Sequence, residues 1–373
     1  MKRRTILLTI ETGGPGGAET VLLTLASRLD PERYRAVVLL PRRGWLSETI
    51  EGRGVPVHIA KSKSWHDPTL LAEMRRLVRR ENVDLIHSHL PDQNFYGCVA
   101  GLLTRRPTIA TYHGLPPARG SLTMRARTKL WFVGRFASAV VVVSGRLEEA
   151  MRELGFSDRR LVQIYNGIDI ARFAQPPSGR LHREIGRNGD TKLVGMVANV
   201  RAAKGYEYFL EAASEVARRV PEAVFLVIGE AKDGGLEDLR ARARRLSLED
   251  RFLFLGFRRD VPEILSELDL FVLSSIQEGF SLATVEAMAA GKPVVATRSG
   301  GPEEIVEHPR TGLLVPARDA DALAKGICDL LADPERAGAM GRAAREKAAL
   351  DFSVETMIGR YESLYERVLK EAA

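Results

Sequence analysis

The sequence has little of what marks secreted and membrane-spanning proteins. Its 373 residues include only two cysteines, Cys98 and Cys328, which lie far apart and match no metal-ligand spacing. This scarcity excludes a disulfide-stabilised scaffold and favours a reducing compartment. No apolar run approaches the roughly 18 residues of a membrane-spanning helix, and the first run, Thr5–Ile10, is too short for a signal-peptide core. We therefore predict a cytoplasmic protein in which Thr5–Ile10 is a buried strand.

The charge is unevenly distributed along the chain. Residues 1–175 hold 27 Lys and Arg against 16 Asp and Glu, a net charge of +11, whereas the remaining residues hold 28 against 32, a net charge of −4. A basic half indicates an anionic partner, such as a phosphate or a lipid headgroup, although a solvated basic surface explains it equally well. Nucleic acid is disfavoured because the arginines are dispersed and no helix-turn-helix, zinc or RNA-binding signature is present.

Apolar runs of strand length alternate with amphipathic helical patterns in both halves of the chain. This alternation predicts an α/β protein with parallel sheets and crossover helices. The pattern stops at Ala171–Asp190, where turn-forming residues are dense, and then resumes, so this segment is predicted to be a linker. The ligands of such sheets bind beyond the carboxyl ends of the strands.

A glycine-rich turn, Gly13–Glu19, lies between the first predicted strand and the first predicted helix. Glycines let the backbone approach a ligand, and the helix start offers N–H groups that suit a phosphate. A simple tight turn is the alternative. A dinucleotide fingerprint does not fit, since Glu19 stands where its third glycine belongs, and a Walker A loop lacks its Gly-Lys-Ser/Thr.

The most specific signal is a pair of glutamates in the second half, Glu278 and Glu286, separated by seven residues. A predicted strand precedes the pair, and Glu286 is expected in the first turn of the helix that follows. Carboxylates accept hydrogen bonds from the hydroxyls of a sugar or a ribose. Free N–H groups at Ala283, Thr284 and Val285 would suit a diphosphate. The simpler alternative is that Glu286 only complements the helix dipole.

The segment Glu278–Thr297, followed by Gly300–Val306, resembles the E-x7-E signature of the family 4 retaining GT-B glycosyltransferases. The resemblance extends over nearly the whole chain. It implies two Rossmann-like domains that face an interdomain cleft, with a C-terminal helix that crosses back to the N-terminal domain. On this basis residues 1–172 form an acceptor-binding domain, residues 173–353 form a nucleotide-sugar-binding domain, and residues 354–373 form the returning helix.

The resemblance also implies roles for single residues. Lys204 would neutralise the donor diphosphate, Glu278 would hold the sugar, and His113 would contact the sugar near the reacting carbon; these three are the predicted catalytic residues. Further predicted contacts are Gly16, Gly17, Arg201, Ala283, Thr284 and Val285 for the diphosphate, Phe280, Ser281 and Glu286 for the sugar and ribose, Gly256, Phe257 and Arg258 for the base, and Glu19 and His89 on the acceptor side.

Two departures from the family pattern affect donor binding. Many relatives carry Gly-Arg five residues before the lysine, where this chain has Ala198-Asn199. Arg201 is therefore predicted to supply the missing positive charge, with Asn199 as the alternative. The usual Asp-Gly-Pro after Gly229 is replaced by Glu230–Asp233, which is expected to alter donor choice.

The implied reaction moves a hexosyl group from a UDP- or GDP-sugar to a glycan or lipid-linked acceptor of the cell envelope, with retention of configuration. The donor is a substrate, and no cofactor or metal is expected. The Asp319-Ala320-Asp321 triplet is predicted to cap a helix rather than to bind a metal. The alternatives are a nucleotide-sugar 2-epimerase of the same architecture and a non-catalytic sugar-nucleotide binding protein.

A basic segment with interleaved aromatic residues, Ser121–Phe136, is predicted to be an amphipathic helix. Such a helix can lie on an anionic membrane, which would place the enzyme on the inner face of the cell membrane near a lipid-linked acceptor. The alternative is a helix whose aromatic residues face the protein core.

Overall fold

The computed structural model describes residues 3–60, 68–116, 119–231 and 235–372. The chain forms two compact units, one of Met1–Gly167 with Val354–Ala373 and the other of Ile168–Ser353. The division after Gly167 falls slightly before the boundary that the sequence suggests at residue 172. Each unit contains one parallel sheet flanked by helices, which confirms the predicted α/β class.

The described residues of the first unit form seven parallel strands in the order β3-β2-β1-β4-β5-β6-β7. Its inner strands are almost wholly buried because helices cover the sheet, as expected for parallel strands rich in Val, Ile and Leu, whereas the two edge strands are mostly half-buried. Its elements up to residue 163 are β1 Arg4–Ile10, α1 Gly17–Arg28, β2 Tyr34–Leu40, α2 Trp45–Glu51, β3 Val57–Ile59, α3 Pro68–Arg80, β4 Leu85–His89, α4 Pro91–Thr104, β5 Thr108–Tyr112, α5 Met124–Phe136, β6 Ala139–Val142, α6 Gly145–Glu153 and β7 Leu161–Gln163.

In the part of the second unit that the structure describes, six parallel strands lie in the order β10-β9-β8-β11-β12-β13. In both sheets the chain starts in the middle and reverses direction once, at β1/β4 and at β8/β11, which are the switch points where such folds bind ligands. The elements are α7 Arg180–Glu184, β8 Lys192–Val197, α8 Tyr206–Arg219, β9 Ala223–Ile228, α9 Gly235–Arg245, β10 Phe252–Gly256, α10 Val261–Glu267, β11 Leu270–Leu273, α11 Leu282–Ala289, β12 Val294–Arg298, α12 Pro302–Ile305, β13 Leu313–Pro316, α13 Ala320–Leu331 and α14 Pro334–Asp351.

The last helix, α15 (Val354–Glu371), belongs to the first unit, as the resemblance predicts. Its apolar face is buried there, and the hydroxyl of Tyr365 lies 2.7 Å from Nδ1 of His87 on β4. Glu362 accepts hydrogen bonds from the backbone N–H of Asp30 at 2.8 Å and from the Arg33 guanidinium at 3.1 Å. These polar contacts fix α15 beside the sheet.

The predicted linker Ala171–Asp190 is not free of structure. It contains most of a short 3₁₀ turn, Ile170–Phe173, and the whole of α7. The buried carboxylate of Glu267 on α10 caps α7, because it accepts the backbone N–H groups of Arg180 and Leu181, each at 2.9 Å. A five-residue helix shows no periodicity, and its cap comes from a distant residue, so the sequence pattern could not reveal it.

Candidate functional site

Lys204 and Glu278 meet at the switch point of the second sheet. Lys204 follows β8 in a 3₁₀ turn, Ala202–Lys204, and Glu278 follows the neighbouring strand β11. The Lys204 ammonium pairs with Oε1 of Glu278, and the hydroxyl of Ser275 donates to the same oxygen at 2.7 Å. The lysine side chain is 24% exposed and the glutamate 8%, so the cation is the more accessible partner. The site therefore offers an accessible positive charge backed by a buried carboxylate.

The backbone around Lys204 is locked against the loop after β11. The N–H of Ile276 donates to the carbonyl of Ala203 at 2.8 Å, and the Ser274 hydroxyl donates to the carbonyl of Lys204 at 3.0 Å. Gly205 has φ +61°, and a Cβ there would lie 2.3 Å from the Ser274 carbonyl oxygen. A glycine is needed at this position because both the dihedral angle and the space exclude a side chain.

The Glu278 loop is held from its other side by the turn after β12. The N–H of Glu278 donates to the carbonyl of Ser299 at 2.8 Å, and the N–H of Gly301 donates to the carbonyl of Glu278 at 3.0 Å. A Cβ on Gly301 would lie 2.7 Å from the carbonyl oxygen of Gly279. Glu278 is thus fixed by contacts with two neighbouring loops.

The start of α11 offers fewer free N–H groups than predicted. Ser281 caps the helix, since its hydroxyl accepts the N–H of Thr284 at 3.3 Å and its carbonyl accepts the N–H of Val285 at 3.2 Å. The prediction of free donors at Thr284 and Val285 is therefore wrong. The first two helical N–H groups, those of Leu282 and Ala283, have no partner within a helix and remain for an anion.

Phe280 and Glu286 differ in which of their groups can contact a ligand. The Phe280 side chain is buried against Phe352, with ring centroids 5.7 Å apart, so only its backbone can face a ligand. The prediction that Glu286 lies in the first turn of α11 is wrong, because the helix begins at Leu282 and Glu286 falls in its second turn. Desolvation raises the pKa of its carboxyl to about 7, and the positive charge of Arg172 opposes that rise. A partly buried carboxyl that stays partly protonated is suited to hydrogen-bonding hydroxyl groups.

The predicted base-binding loop follows β10. Gly256 has φ +67°, and Phe257 is 44% exposed, which leaves its ring available for stacking. Arg258 differs, because its guanidinium pairs with Glu184 and with Asp260, the latter at 2.6 Å and 2.7 Å. These ion pairs raise the pKa of Arg258 further above its ordinary value and occupy its donors.

Arg201 and Asn199, the two candidates to replace the family's arginine, differ in their contacts. Arg201 is exposed and lies immediately before the 3₁₀ turn of Lys204. The side-chain oxygen of Asn199 accepts the N–H of Glu230 at 3.1 Å and so joins the ends of β8 and β9. Of the departures from the family pattern, Lys232 and Asp233 lie outside the described residues. Arg201 is the candidate whose charge can reach a ligand.

Three histidines cluster at the switch point of the first sheet. His87 and His89 lie on β4, and His113 follows β5. Nε2 of His87 lies 2.7 Å from the Thr111 hydroxyl, and Nδ1 of His89 lies 2.9 Å from Nε2 of His113. Desolvation lowers the pKa of His87 and of His113 to about 3, and it lowers that of His89 well below its ordinary value. All three rings are therefore neutral at physiological pH.

The glycine-rich turn forms the start of α1. Gly16 is the N-cap, and Gly17 is the first helical residue. A Cβ on Gly16 would lie 2.5 Å from a carboxylate oxygen of Glu19, so the Glu19 carboxylate lies directly over Gly16. In this position Glu19 complements the positive end of the helix, and an incoming phosphate would have to displace it.

Glu11, at the end of β1, is a site residue that the sequence analysis misses. Its Oε2 accepts the N–H groups of Asp92 at 2.8 Å and Gln93 at 3.0 Å, at the start of α4. Burial nevertheless raises the pKa of Glu11 to about 7. The available signal was an acid directly after the first buried strand. Glu11 therefore joins the two sides of the switch point, β1 and β4.

The described residues hold neither a cluster suited to a metal ion nor a helix suited to a membrane span. Within the described ranges, no group of three or more His, Cys, Asp or Glu is arranged to hold a metal ion. Asp319 caps α13 by accepting the N–H of Ala322 at 2.8 Å, which confirms its predicted role. Among the described helices, none is both long enough and apolar enough to cross a membrane.

Comparisons with known proteins give matches along most of the chain. Residues 15–172 match the family model "Glycosyltransferase Family 4", and residues 178–347 match "Glycosyl transferases group 1". An N-acetyl-alpha-D-glucosaminyl L-malate synthase of Bacillus anthracis is 29% identical over 316 residues, covering 82% of this chain and 80% of the relative. A GDP-mannose-dependent alpha-(1-6)-phosphatidylinositol monomannoside mannosyltransferase of Mycolicibacterium smegmatis is 31% identical over 303 residues, 76% of each chain.

A solved structure resembles the chain over nearly its full length. It is the structure of Anabaena Alr3699/HepE in complex with UDP-glucose. The two proteins are 28% identical and superpose with a TM-score of 0.88, and the match covers 97% of this chain and 99% of the other. The combination of two parallel sheets with this match confirms the predicted fold.

Proposed function

We propose that this chain, which belongs to the family 4 GT-B glycosyltransferases, transfers a hexosyl group from a UDP- or GDP-sugar with retention of anomeric configuration. The acceptor is a glycan or a lipid-linked glycan. The names of two relatives support these donors, since one is a complex with UDP-glucose and the other is GDP-mannose-dependent. The relatives named above are transferases or synthases, which does not favour the epimerase alternative.

The pairing of Lys204 with Glu278 is the observation that carries the proposal. Transfer separates charge, because the leaving diphosphate gains negative charge while the sugar becomes positive. The Lys204 ammonium and the free N–H groups at the start of α11 are fixed before the reaction, so they stabilise the leaving group without reorganising. Arg201 adds a second, exposed positive charge. The salt bridge with Glu278 keeps the Lys204 ammonium in place until a diphosphate takes it over.

The remaining residues hold the sugar and the ribose. Glu278, once released from Lys204, accepts hydrogen bonds from sugar hydroxyls, together with backbone groups of Phe280 and Ser281. Glu286 binds the ribose hydroxyls, and His113 orients the sugar. Attack from the same face as the leaving group, with the diphosphate accepting the proton, accounts for retention without a double displacement between two carboxylates.

Binding of the donor is tested by a thermal-shift screen with UDP-, GDP- and ADP-sugars, each compared with its free nucleoside diphosphate. A donor that binds only the folded state raises the apparent melting temperature. We expect UDP- or GDP-sugars to do so, without added metal and equally with a chelator present. A shift that requires Mg²⁺ would contradict the metal-independent mechanism, and no shift with any donor would contradict the function itself.

Retention is tested by following the anomeric proton of the product by NMR as it forms. We expect the coupling constant of the donor's anomeric configuration to be conserved in the product. An inverted product would remove the front-face mechanism while leaving the transferase assignment intact.

We further propose that α5 associates with an anionic membrane surface. Trp131 and Met124 are 64% and 76% exposed, whereas Phe132 packs on Phe95 and Phe136. Trp131 lines a groove of about 730 Å³ whose described lining residues include four arginines and no acid: Arg127, Arg135, Arg159 and Arg160. An exposed indole beside several guanidinium groups suits the interface of an anionic bilayer.

Vesicle co-sedimentation tests this association. Vesicles that contain an anionic phospholipid should retain the protein at low salt, and Trp131→Ser should weaken retention several-fold. Leu350→Ser is the matched control, because Leu350 is also a large exposed apolar residue, 76% exposed, but lies on α14. Equal retention on neutral vesicles, or no difference between the two variants, would contradict the proposal.

A further inference from the structure

Glu11 directly follows β1, beside a residue predicted to face the acceptor. Ile10 pairs in register with His89 at the end of β4, so Glu11 and the start of α4 lie at the same edge of the first sheet. Glu11 is half-buried, and only its Oε2 forms hydrogen bonds within the described ranges. Its Oε1 has no partner there and is accessible to solvent, so this oxygen is free to contact a ligand.

Three backbone positions at the start of α4 are accounted for by the sheet and by the helix itself. The N–H of Leu90, the N-cap residue, donates to the carbonyl of Thr111 at 3.1 Å. Pro91 has no N–H, and the N–H of Asn94 donates to the carbonyl of Leu90 at 2.9 Å. Two N–H groups, at the second and third helical positions, are left for a partner outside the helix.

Glu11 accepts both of these N–H groups. Its Oε2 lies 2.8 Å from the nitrogen of Asp92 and 3.0 Å from that of Gln93. Because the side chain of Leu90 does not cap the helix, Glu11 supplies the cap from the neighbouring strand. Glu11 thus closes the start of α4 to an anion, which would need these N–H groups, whereas the start of α11 keeps two of its own.

The charges around Glu11 support this arrangement. Lys129 of α5 pairs with Asp92, and only 14% of the lysine side chain is exposed. At the start of α1, the Glu19 carboxylate lies over Gly16. Desolvation raises the pKa of Glu11 to about 7, although its backbone hydrogen bonds and Lys129 oppose the rise, and such raised values are typical of carboxyls in ligand sites. The start of α4 therefore presents a carboxyl oxygen to a ligand, not a set of N–H donors.

We propose that Glu11 is a specificity-determining residue for the acceptor. Its Oε1 accepts a hydrogen bond from an acceptor hydroxyl, and its Oε2 keeps the start of α4 closed to phosphate and carboxylate groups. A carboxylate oxygen accepts from a hydroxyl but repels a second anion. The part of the acceptor that binds here is thus an uncharged, hydroxyl-bearing sugar or polyol. This inference rests on the proposed function, since it places the acceptor at this edge of the first sheet.

Inorganic phosphate tests the closure of α4 without turnover. Glu11→Ala frees the N–H groups of Asp92 and Gln93. We expect about 50 mM phosphate to raise the melting temperature of this variant by about 2 °C more than that of the wild-type protein, with sodium chloride of equal ionic strength as the reference. Glu11→Gln is the matched control, because its amide oxygen still accepts both N–H groups, and it should respond like the wild-type protein. Equal responses of the wild-type protein and Glu11→Ala would overturn the proposal.

Glu11→Gln also tests the hydrogen bond to the acceptor. At pH 8, where the Glu11 carboxyl is mostly ionised, the substitution replaces a charged acceptor oxygen by an amide group. The probes are octyl glycosides, each with and without a 6-phosphate. We expect kcat/KM for the uncharged probes to fall about tenfold, while the KM of the donor changes less than twofold. The wild-type enzyme should prefer each uncharged probe to its phosphorylated form. The opposite preference, or an unchanged kcat/KM in Glu11→Gln, would overturn the proposal.

The two kinds of failure are distinguishable. Failure of the proposed function would appear as the absence of a donor-induced thermal shift in the wild-type protein. Failure of this inference would leave that shift intact and would appear in the phosphate response. The phosphate experiment needs neither donor nor acceptor, and the donor diphosphate site is the same in all three proteins, so a difference between them reports on Glu11 even where no octyl glycoside is used as an acceptor.

Discussion

The two switch points of this protein differ in whether the side chains that meet there are charged or neutral. At β8/β11 the side chains are charged, and the ammonium of Lys204 pairs with the carboxylate of Glu278. At β1/β4 the rings of His89 and His113 are buried and neutral. The sheets have the same topology at both points, so the difference comes from the residues that follow the strands.

This difference fits a division of labour in the proposed transfer. A departing diphosphate develops charge and is stabilised by a fixed cation. A sugar or acceptor carries hydroxyl groups, which are recognised by neutral donors and acceptors of defined direction. Similar α/β units thus provide a charged site in one half and a hydrogen-bonding site in the other.

Replacing Lys204 should break the charged site with the largest effect on activity. We expect Lys204→Ala to lower kcat/KM by about 100- to 1,000-fold, because the leaving group loses its fixed cation. Lys192→Ala is the control, since Lys192 pairs with Asp269 on the same unit but away from the site, and it should change activity less than twofold. Steady-state kinetics of both variants measure the difference. Near-normal turnover of Lys204→Ala would remove the charge-stabilisation argument.

The glycines of the two sites should differ in their effect on stability. In Gly205→Ala, the new Cβ meets a backbone carbonyl at a positive φ, and we expect a loss of about 2–4 kcal/mol. In Gly16→Ala, the Cβ meets only the flexible end of Glu19, and we expect less than about 1 kcal/mol. Urea unfolding of both variants measures the contrast. Equal losses would mean that the Lys204 turn is not the more constrained one.

Among the described residues, each unit contains one carboxyl with a raised pKa, which allows a comparison by pH. Burial raises the pKa of Glu11 and of Glu286 to about 7. Between the unfolded value of about 4.5 and pH 7 the folded state binds more protons, so these groups make stability fall as pH rises through this window. We expect Glu286→Gln and Glu11→Gln each to raise the free energy of unfolding relative to the wild-type protein. This gain should be about 1–3 kcal/mol larger at pH 8 than at pH 5, after allowance for solvent screening.

The pH comparison is measured as the urea midpoint of each variant at pH 5 and pH 8. Glu303→Gln is a suitable control, because Glu303 also accepts backbone N–H groups, those of Ser299 and Gly300. If the control gained as much stability as the other two variants, the removal of any carboxylate charge, rather than the raised pKa, would explain the effect.

The sequence predicts the charged site better than the neutral one. Lys204 and Glu278 stand in recognisable motifs after buried strands, and the structure brings them together. The capping of α11 by Ser281 was not foreseen, because a serine side chain that competes for a backbone N–H leaves no pattern. The hydrogen bonds of His89 and Glu11 depend on which strands are neighbours, which periodicity along the chain does not contain.

Element length does not by itself decide which elements the sequence pattern reveals. Helix α10 and strands β3, β7 and β13 were not predicted, and neither was the 14-residue helix α4. The four-residue strand β11 and the 18-residue helix α14 were predicted, as Leu270–Leu273 and Pro334–Asp351, at the bounds that the structure shows. A short apolar run fits either a strand or a turn, so tertiary contacts decide which of the two it forms.

Arg258 gives the smallest expected effect and tests the limit of carrying family roles over to single residues. Its position in the loop after β10 predicts contact with the base, but its guanidinium is held by Glu184 and Asp260. We expect Arg258→Ala to lower stability by about 0.5–1.5 kcal/mol and to raise the KM of the donor less than twofold. Phe257→Ala, which removes an exposed ring beside it, should raise that KM more. A tenfold rise in KM for Arg258→Ala, without a similar rise for Phe257→Ala, would mean that the ion pairs of Arg258 open when the donor binds. The contacts that Arg258 makes in this structure would then not indicate which residues bind the base.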